Sequence, residues 1–240
     1  VNGEKLALGV LASGSGTNLQ ALIDACAAGA LHARVAVVIG NVAGAACLER
    51  AAKAGIPTRL LGHKAFPSRE AYDSELVQEL QRQGVQLVCL AGFMRLVTPV
   101  LLRAFPDRVL NIHPSLLPSF PGLHAVRQAL DAGARISGCT VHFVDEGTDT
   151  GPVLIQAAVP VLDADTEDSL AHRIHEQEHK AYVRAVGLVA AGAVEWREGP
   201  GKRRVQISAR EDLPVASQAT LAWPPLESVT ETVTHFGDPV

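Results

Sequence analysis

Short apolar runs alternate with longer amphipathic stretches through the first half of the chain. Leu6 to Leu11 is continuously apolar and ends in a glycine-bearing turn, the pattern of a strand covered on both faces. The spacing of Leu19, Leu22, Ile23 and Cys26 predicts a helix over Asn18 to Ala28, with Gly29 at its C′ position. Strands are predicted at Arg34 to Ile39 and Ile56 to Leu61, on either side of a helix over Ala45 to Ala54 that Gly55 stops. Ser68 caps a further helix with the stripe Tyr72, Leu76, Val77 and Leu80, closed by Gly84. Val85 to Leu90 and Val109 to Ile112 complete the strand set. This alternation defines an α/β fold, a Rossmann-like, mostly parallel sheet with helices on both faces.

The second half has a different texture. Ile136 to Val144 and Pro152 to Val161 are β-rich runs joined by the loop Asp145 to Gly151, close enough to pair as an antiparallel segment. Asp165 or Thr166 opens the longest predicted helix, Glu167 to about Ala190, with acidic residues in its first turn. Glu198 to Gly201 reads as a hairpin turn between Val194–Arg197 and Arg203–Ile207, and from Glu211 the chain is rich in Pro, Ser and Thr with little periodicity. The expected organisation is therefore a main domain over residues 1–192 and a C-terminal hairpin and irregular tail over 193–240.

Composition narrows the class. Of 240 residues, 48% are hydrophobic and 19% charged, enough apolar material for a sizeable core. The balance of 21 Lys+Arg against 25 Asp+Glu, formally −4, suits neither nucleic acid nor an anionic membrane as a non-specific partner. The longest apolar candidate, Val186 to Val194, falls far short of the ~20 residues that span a bilayer. No signal peptide is visible. Cys26, Cys47, Cys89 and Cys139 lie far apart in apolar stretches, so they read as reduced core thiols and the expected location is cytoplasmic.

Three loops can carry chemistry. Ser13-Gly-Ser-Gly-Thr-Asn18 follows the first strand and opens the first helix, where unpaired N–H groups and a partial positive charge bind phosphate. A dinucleotide fingerprint is disfavoured: Leu19 replaces the third glycine, and Asn41 stands where a ribose-binding acid belongs. A monophosphate fits better. In Asn111-Ile-His-Pro114, strand alternation puts Asn111 and His113 on one face, and Pro114 keeps His113 extended. An amide donor beside an imidazole can stabilise an oxyanion and move a proton, although the same pair could simply satisfy buried backbone. The acidic loop from Asp145 to Asp149 lacks calcium-loop spacing, but a carboxylate near His113 would favour the imidazolium. His175-Glu-Gln-Glu-His179 matches the zinc-protease pattern on a helix, yet no suitable third ligand follows, so no metal is expected.

Together these segments resemble the phosphoribosylglycinamide formyltransferases, the folate-dependent glycinamide ribonucleotide transformylases of purine synthesis. The likeness is carried by Leu11–Gln20, Ser68–Asp73, Leu90–Arg95, Asn111–Pro118, Pro121–His124, Val141–Val144, Asp149–Pro152 and Gln177–His179, from about Leu6 to about Gly192. The resemblance implies a catalytic trio of Asn111, His113 and Asp149. It implies ribonucleotide and phosphate contacts at Gly16, Thr17, Asn18 and Glu178. It also implies a folate pocket built from Arg69, Met94, Arg95, Leu96, Val97, Asn111 and Val144 with the loop to Asp149. Thr17 and Thr150 are small departures from the family pattern, and the segment after Gly192 matches poorly.

The implied reaction is direct formyl transfer from 10-formyltetrahydrofolate, as co-substrate, to the amine of glycinamide ribonucleotide through a tetrahedral intermediate, with neither metal nor ATP. The implied partners are these small molecules, with a homodimer compatible. Three rival functions fit less well. A 10-formyltetrahydrofolate hydrolase, the main alternative, would use the same trio on water, but it carries an N-terminal domain for which a first strand at Leu6 leaves no room. A methionyl-tRNA formyltransferase needs a C-terminal barrel for which this tail is too short. A non-catalytic phosphate sensor has no use for the trio.

Overall fold

The computed structural model describes residues 3–199 and 203–208. The tail from Glu211 and the centre of the 198–201 turn lie outside the described residues. Six of the predicted elements lead to the functional loops: β1 (Leu6–Ala12), α1 (Thr17–Ala27), β2 (Ala33–Gly40), α2 (Ala46–Lys53), β3 (Thr58–Leu60) and α3 (Arg69–Arg82). They continue with β4 (Leu87–Leu90), α4 (Pro99–Ala104), β5 (Val109–His113), α5 (Ala125–Asp131), β6 (Ile136–Phe143), β7 (Val153–Pro160) and α6 (Glu167–Ala190). A hairpin of β8 (Val194–Arg197) and β9 (Arg204–Ile207) follows. The sequence reading did not contain α4, α5 or the short 3-10 turn at His63–Ala65.

The seven-stranded sheet has the order β3-β2-β1-β4-β5-β6-β7. Its first five strands run parallel, β6 adds antiparallel to β5, and β7 adds antiparallel to β6. The chain winds outward from β1 to β3, then returns to place β4 on the other side of β1. That reversal opens a crevice beyond the carboxyl ends of β1 and β4, the usual ligand position of an open α/β sheet. Strand alternation divides the core. Leu8 and Val10 of β1 pack with Leu19, Leu22, Ile174 and Tyr182 on one face. Leu11 packs with Tyr72, Leu76, Leu80 and Leu101 on the other. Helices thus cover both faces, as expected.

The long helix α6 is fixed at its start by a dense cap. The Thr166 side chain accepts from the Ser169 amide and Ser169 reciprocates, closing a capping box. Asp165, nearly fully buried, takes both arms of Arg173 at 2.8 and 2.9 Å and also accepts from the Leu162 amide and the Ser169 hydroxyl. The Arg173 hydrogen bonds, outweighing burial, hold the Asp165 carboxyl far below its ordinary range. A carboxyl depressed in the native state adds stability above its unfolded value, about pH 3.9, and loses it as pH falls through the native value. Asp165→Asn is expected to lower the thermal midpoint at pH 7, with the gap to wild type closing below about pH 4. A gap that stays constant down to pH 3 would rule out this pair as its source.

Beyond α6 the chain stays on the same body. Ala193 is buried, and Val194, Trp196 and Val205 pack on the larger core. Trp196 lies 4.8 Å from the Phe143 ring, and Arg203 stacks 4.3 Å over Trp196 while forking onto Asp107 at 3.0 Å through both arms.

Candidate active site

β5 delivers the first two functional groups. The run Val109-Leu110 is buried in the sheet, so the next alternate positions, Asn111 and His113, reach the carboxyl end on one face. The neighbouring strand is antiparallel, with Asn111 opposite His142 and His113 opposite Thr140. The β6–β7 connection then returns Asp149 over both. Its Oδ2 lies 3.4 Å from His113 Nδ1 and accepts from the Gly122 amide at 2.8 Å, and its Oδ1 lies 3.5 Å from Asn111 Nδ2.

His113 is held from its other side as well. Its Nε2–H donates to the Phe120 carbonyl at 2.9 Å, and the Ser115 hydroxyl donates to the same oxygen at 3.2 Å. Both ring nitrogens therefore face acceptors. Behind this loop, Thr140 donates to the Ser115 carbonyl at 2.7 Å, accepts from the Leu117 amide at 3.0 Å and receives Gln156 at 3.0 Å. Centred on the buried Ser115 and Thr140, this network fixes the segment that follows the histidine.

Asp149 itself stands at φ 54°, a left-handed conformation that an L-residue adopts at a cost and that clusters at functional sites. Burial acts to raise its carboxyl. Hydrogen bonding with His142, the Gly122 amide and the charges His113 and His142 can carry outweigh that effect, so it titrates below the ordinary range.

His142 also lies in this cluster and is not among the candidate residues singled out from the sequence. It is 2% exposed, and its Nδ1–H donates to the Phe143 carbonyl at 2.9 Å. Its Nε2 faces Asn111 Nδ2 at 3.2 Å and Asp149 Oδ1 at 3.6 Å. A neutral ring accepts from the amide; a protonated ring points a donor at the carboxylate. Its signal was the register of the strand pair, since antiparallel alternation puts it across from Asn111.

These groups sit in a cavity of about 560 Å³. Its walls include the predicted Arg69, Met94, Arg95, Leu96, Val97, Asn111 and Val144, together with Leu123 and His124, which were not predicted. Met94, Leu96 and Leu123 are exposed at its rim. The loop after β4 is pinned to α3. Arg69 donates to the Leu96 carbonyl at 2.9 Å, the buried Asp73 accepts from the Thr98 amide at 2.5 Å, and Arg95 lies 4.8 Å over the Tyr72 ring.

Gly16, Thr17, Asn18 and Glu178 form a second group, outside the walls of that cavity. Gly16 opens α1 at φ 71° with no side-chain cap, and the first intrahelical bond is Gln20 N–H to the Gly16 carbonyl. The amides of residues 17–19 therefore face the turn, as an anion site requires. Asn18 Nδ2 donates to Glu178 Oε2 at 2.8 Å, whereas the buried Asn18 Oδ1 has no partner. The two groups share one crevice, because the Ser13 hydroxyl accepts from the Met94 amide and the Ser13 amide donates to Gly92.

The metal-like pattern on α6 resolves differently. Glu178 turns inward to Asn18, His175 is half exposed at 3.9 Å from that carboxylate, and burial pushes His179 down. Among the described residues, no three potential ligands gather around one point. Cys47, Cys89 and Cys139 are buried and Cys26 is partly so, all as free thiols; burial above all pushes Cys89 and Cys139 up to about 12.

A mostly parallel sheet thus carries a histidine–carboxylate–amide cluster beyond its strand ends, and the chain belongs to the formyl transferase family, which matches residues 6–186. Within that family it is similar to the phosphoribosylglycinamide formyltransferase of Escherichia coli strain K12, 48% identical over 189 residues, covering 79% of this chain and 89% of that protein. It is 56% identical over 187 residues to the trifunctional purine biosynthetic protein adenosine-3 of Drosophila pseudoobscura pseudoobscura. That match covers 77% of this chain but only 14% of the much longer relative. Among solved structures, glycinamide ribonucleotide transformylase 1 from Symbiobacterium toebii superposes with a TM-score of 0.83 at 53% identity, covering 87% of this chain and 96% of that one. The resemblance drawn from the motifs holds. No described helix is long and apolar enough to cross a membrane.

Proposed function

We propose that this protein transfers the formyl group of 10-formyltetrahydrofolate to the primary amine of glycinamide ribonucleotide, a step of purine synthesis. The observation that carries the reading is the meeting of Asn111, His113 and Asp149 at the inner wall of a cavity that opens beside an anion-accepting helix terminus. The cavity's volume and its exposed apolar rim suit a folate headgroup, with Arg69 and Arg95 available to its polar groups. Gly16, Thr17 and Asn18 would hold the ribonucleotide phosphate, and Glu178 the polar body of the same substrate. The site of action is proposed to be the cytoplasm.

In this mechanism the amine attacks the formyl carbon, and the carbonyl oxygen becomes an oxyanion. His113, as imidazolium, and the Asn111 amide stabilise that charge; a well-placed donor contributes about 3–4 kcal/mol at such a centre. The Asn111 hydrogen that leans weakly on Asp149 at 3.5 Å is the one free to turn toward the oxyanion. Asp149 keeps His113 charged and, through water, passes a proton from the attacking nitrogen to the leaving folate nitrogen. Collapse then breaks the bond to that nitrogen. Holding both substrates in one crevice supplies the proximity advantage. The proposed scheme uses neither metal nor ATP.

The test is folate release followed by absorbance, with and without glycinamide ribonucleotide. Strictly amine-dependent turnover is expected. Equal turnover in plain buffer would replace the proposal with 10-formyltetrahydrofolate hydrolysis.

A further inference from the structure

The phosphate-accepting turn has no side-chain cap of its own, so something else must set its shape. Three contacts do so, and all come from α2. Gly16 lies so close to Cys47 that a Cβ there would stand 2.7 Å from the Cys47 Cβ. The Cys47 amide donates to the Gly14 carbonyl at 3.1 Å. Arg50, one helical turn further along, donates from Nε to the Ser15 carbonyl at 2.8 Å. Its guanidinium then reaches Gln20 Oε1 at 3.3 Å, in the first turn of α1, and Gln20 in turn donates to Asp24. Arg50 thus spans the turn and the helix it opens.

We infer that Arg50 is a positioning residue for the ribonucleotide phosphate, holding the Ser15 carbonyl away from the anion and adding a fixed positive charge behind the helix terminus. The inference rests on the proposed function. A planar guanidinium suits this task because its rigid plane fixes two donors relative to each other, Nε on Ser15 and Nη1 on Gln20. With the Ser15 carbonyl engaged, the amides of residues 17–19 stay aligned on one point, and no carbonyl dipole opposes the incoming anion. Arg50 is half-buried, which limits solvent screening of its charge. The groove beside it, of about 460 Å³, also carries Asp24, Glu49 and Lys53. Its mixed charge makes that groove a poor anion site, so the role of Arg50 is to act through the turn.

The test compares wild type, Arg50→Ala and Arg50→Lys. Arg50→Ala should raise KM for glycinamide ribonucleotide about tenfold, the usual scale of one charge-assisted hydrogen bond, and leave saturating kcat and folate KM within about twofold. Arg50→Lys keeps the charge and one donor and should recover part of the loss. Calorimetric titration with ribose 5-phosphate should follow the same order. Parallel changes in both KM values, kcat and thermal midpoint would mark Arg50 as merely structural and overturn the inference. If wild type binds and Arg50→Ala binds equally well, the inference alone fails. If wild type binds neither ribonucleotide nor ribose 5-phosphate, the proposed function fails and the inference with it.

Discussion

His113→Ala and Asp149→Asn are each expected to reduce turnover by about 10²–10⁴-fold, the range of a lost general acid–base group, while ribonucleotide affinity stays within about threefold. The split follows from the placement of the groups. His113 and Asp149 sit on β5 and on the β6–β7 connection, whereas the proposed phosphate contacts sit at the start of α1. Asp149→Asn is the more telling change because it keeps the shape and removes the charge. His113 Nδ1 then loses the carboxylate 3.4 Å away, and the Gly122 amide loses a charged acceptor at 2.8 Å. The pH dependence is also specified. Asp149 is held below the ordinary carboxylate range, so it stays ionised throughout pH 5–8. Because the proposed role of Asp149 is to keep His113 charged, the ratio of wild-type to Asp149→Asn activity should rise from pH 5 toward pH 8. Steady-state rates over that window with calorimetric ribonucleotide binding check both parts. Near-wild-type turnover in either variant would remove that residue from the mechanism.

The parts of this site that were legible in the sequence are those built from neighbours along the chain. Asn111 and His113 could be paired because alternation in one strand relates positions two apart, and the turn at residues 13–18 because a strand, a glycine turn and a helix follow in immediate succession. Asp149 lies 38 residues from Asn111, so its place beside them came from family resemblance, and only the antiparallel return of β6 and β7 brings it there. His142 stayed hidden for the same reason: its partner is set by register across β5 and β6. The missed helices are short. α4 has six residues, and α5, with seven, follows the N-cap His124, which has a left-handed backbone and offers no side-chain cap. Neither holds enough turns for a 3.6-residue period to register. By contrast α6, with 24 residues and a full capping box, was read to its ends.

Gly16→Ala should produce the complementary defect, a loss of ribonucleotide binding of about 10²-fold, roughly 3 kcal/mol, with folate binding retained. Two costs act together. At φ 71° a residue with a Cβ is strained by roughly 1–2 kcal/mol. The added carbon would also stand 2.7 Å from the Cys47 Cβ and 2.8 Å from its Cα. The second of these is backbone at the start of α2, so no rotamer change relieves it. The turn must move off α2, which breaks the Cys47–Gly14 and Arg50–Ser15 hydrogen bonds and turns the amides of residues 17–19 away from a common point. Cys47→Gly in the same chain removes one of the two close carbons and should restore little. The cavity walls from Arg69 to Val97 hang on α3 through Leu96 and Thr98, so folate affinity should change by less than about threefold. Calorimetry with each substrate separately reads the contrast. Equal losses for both would mean that Ser13, tied to Met94, transmits the disturbance across the crevice and that the two subsites cannot be separated by this substitution.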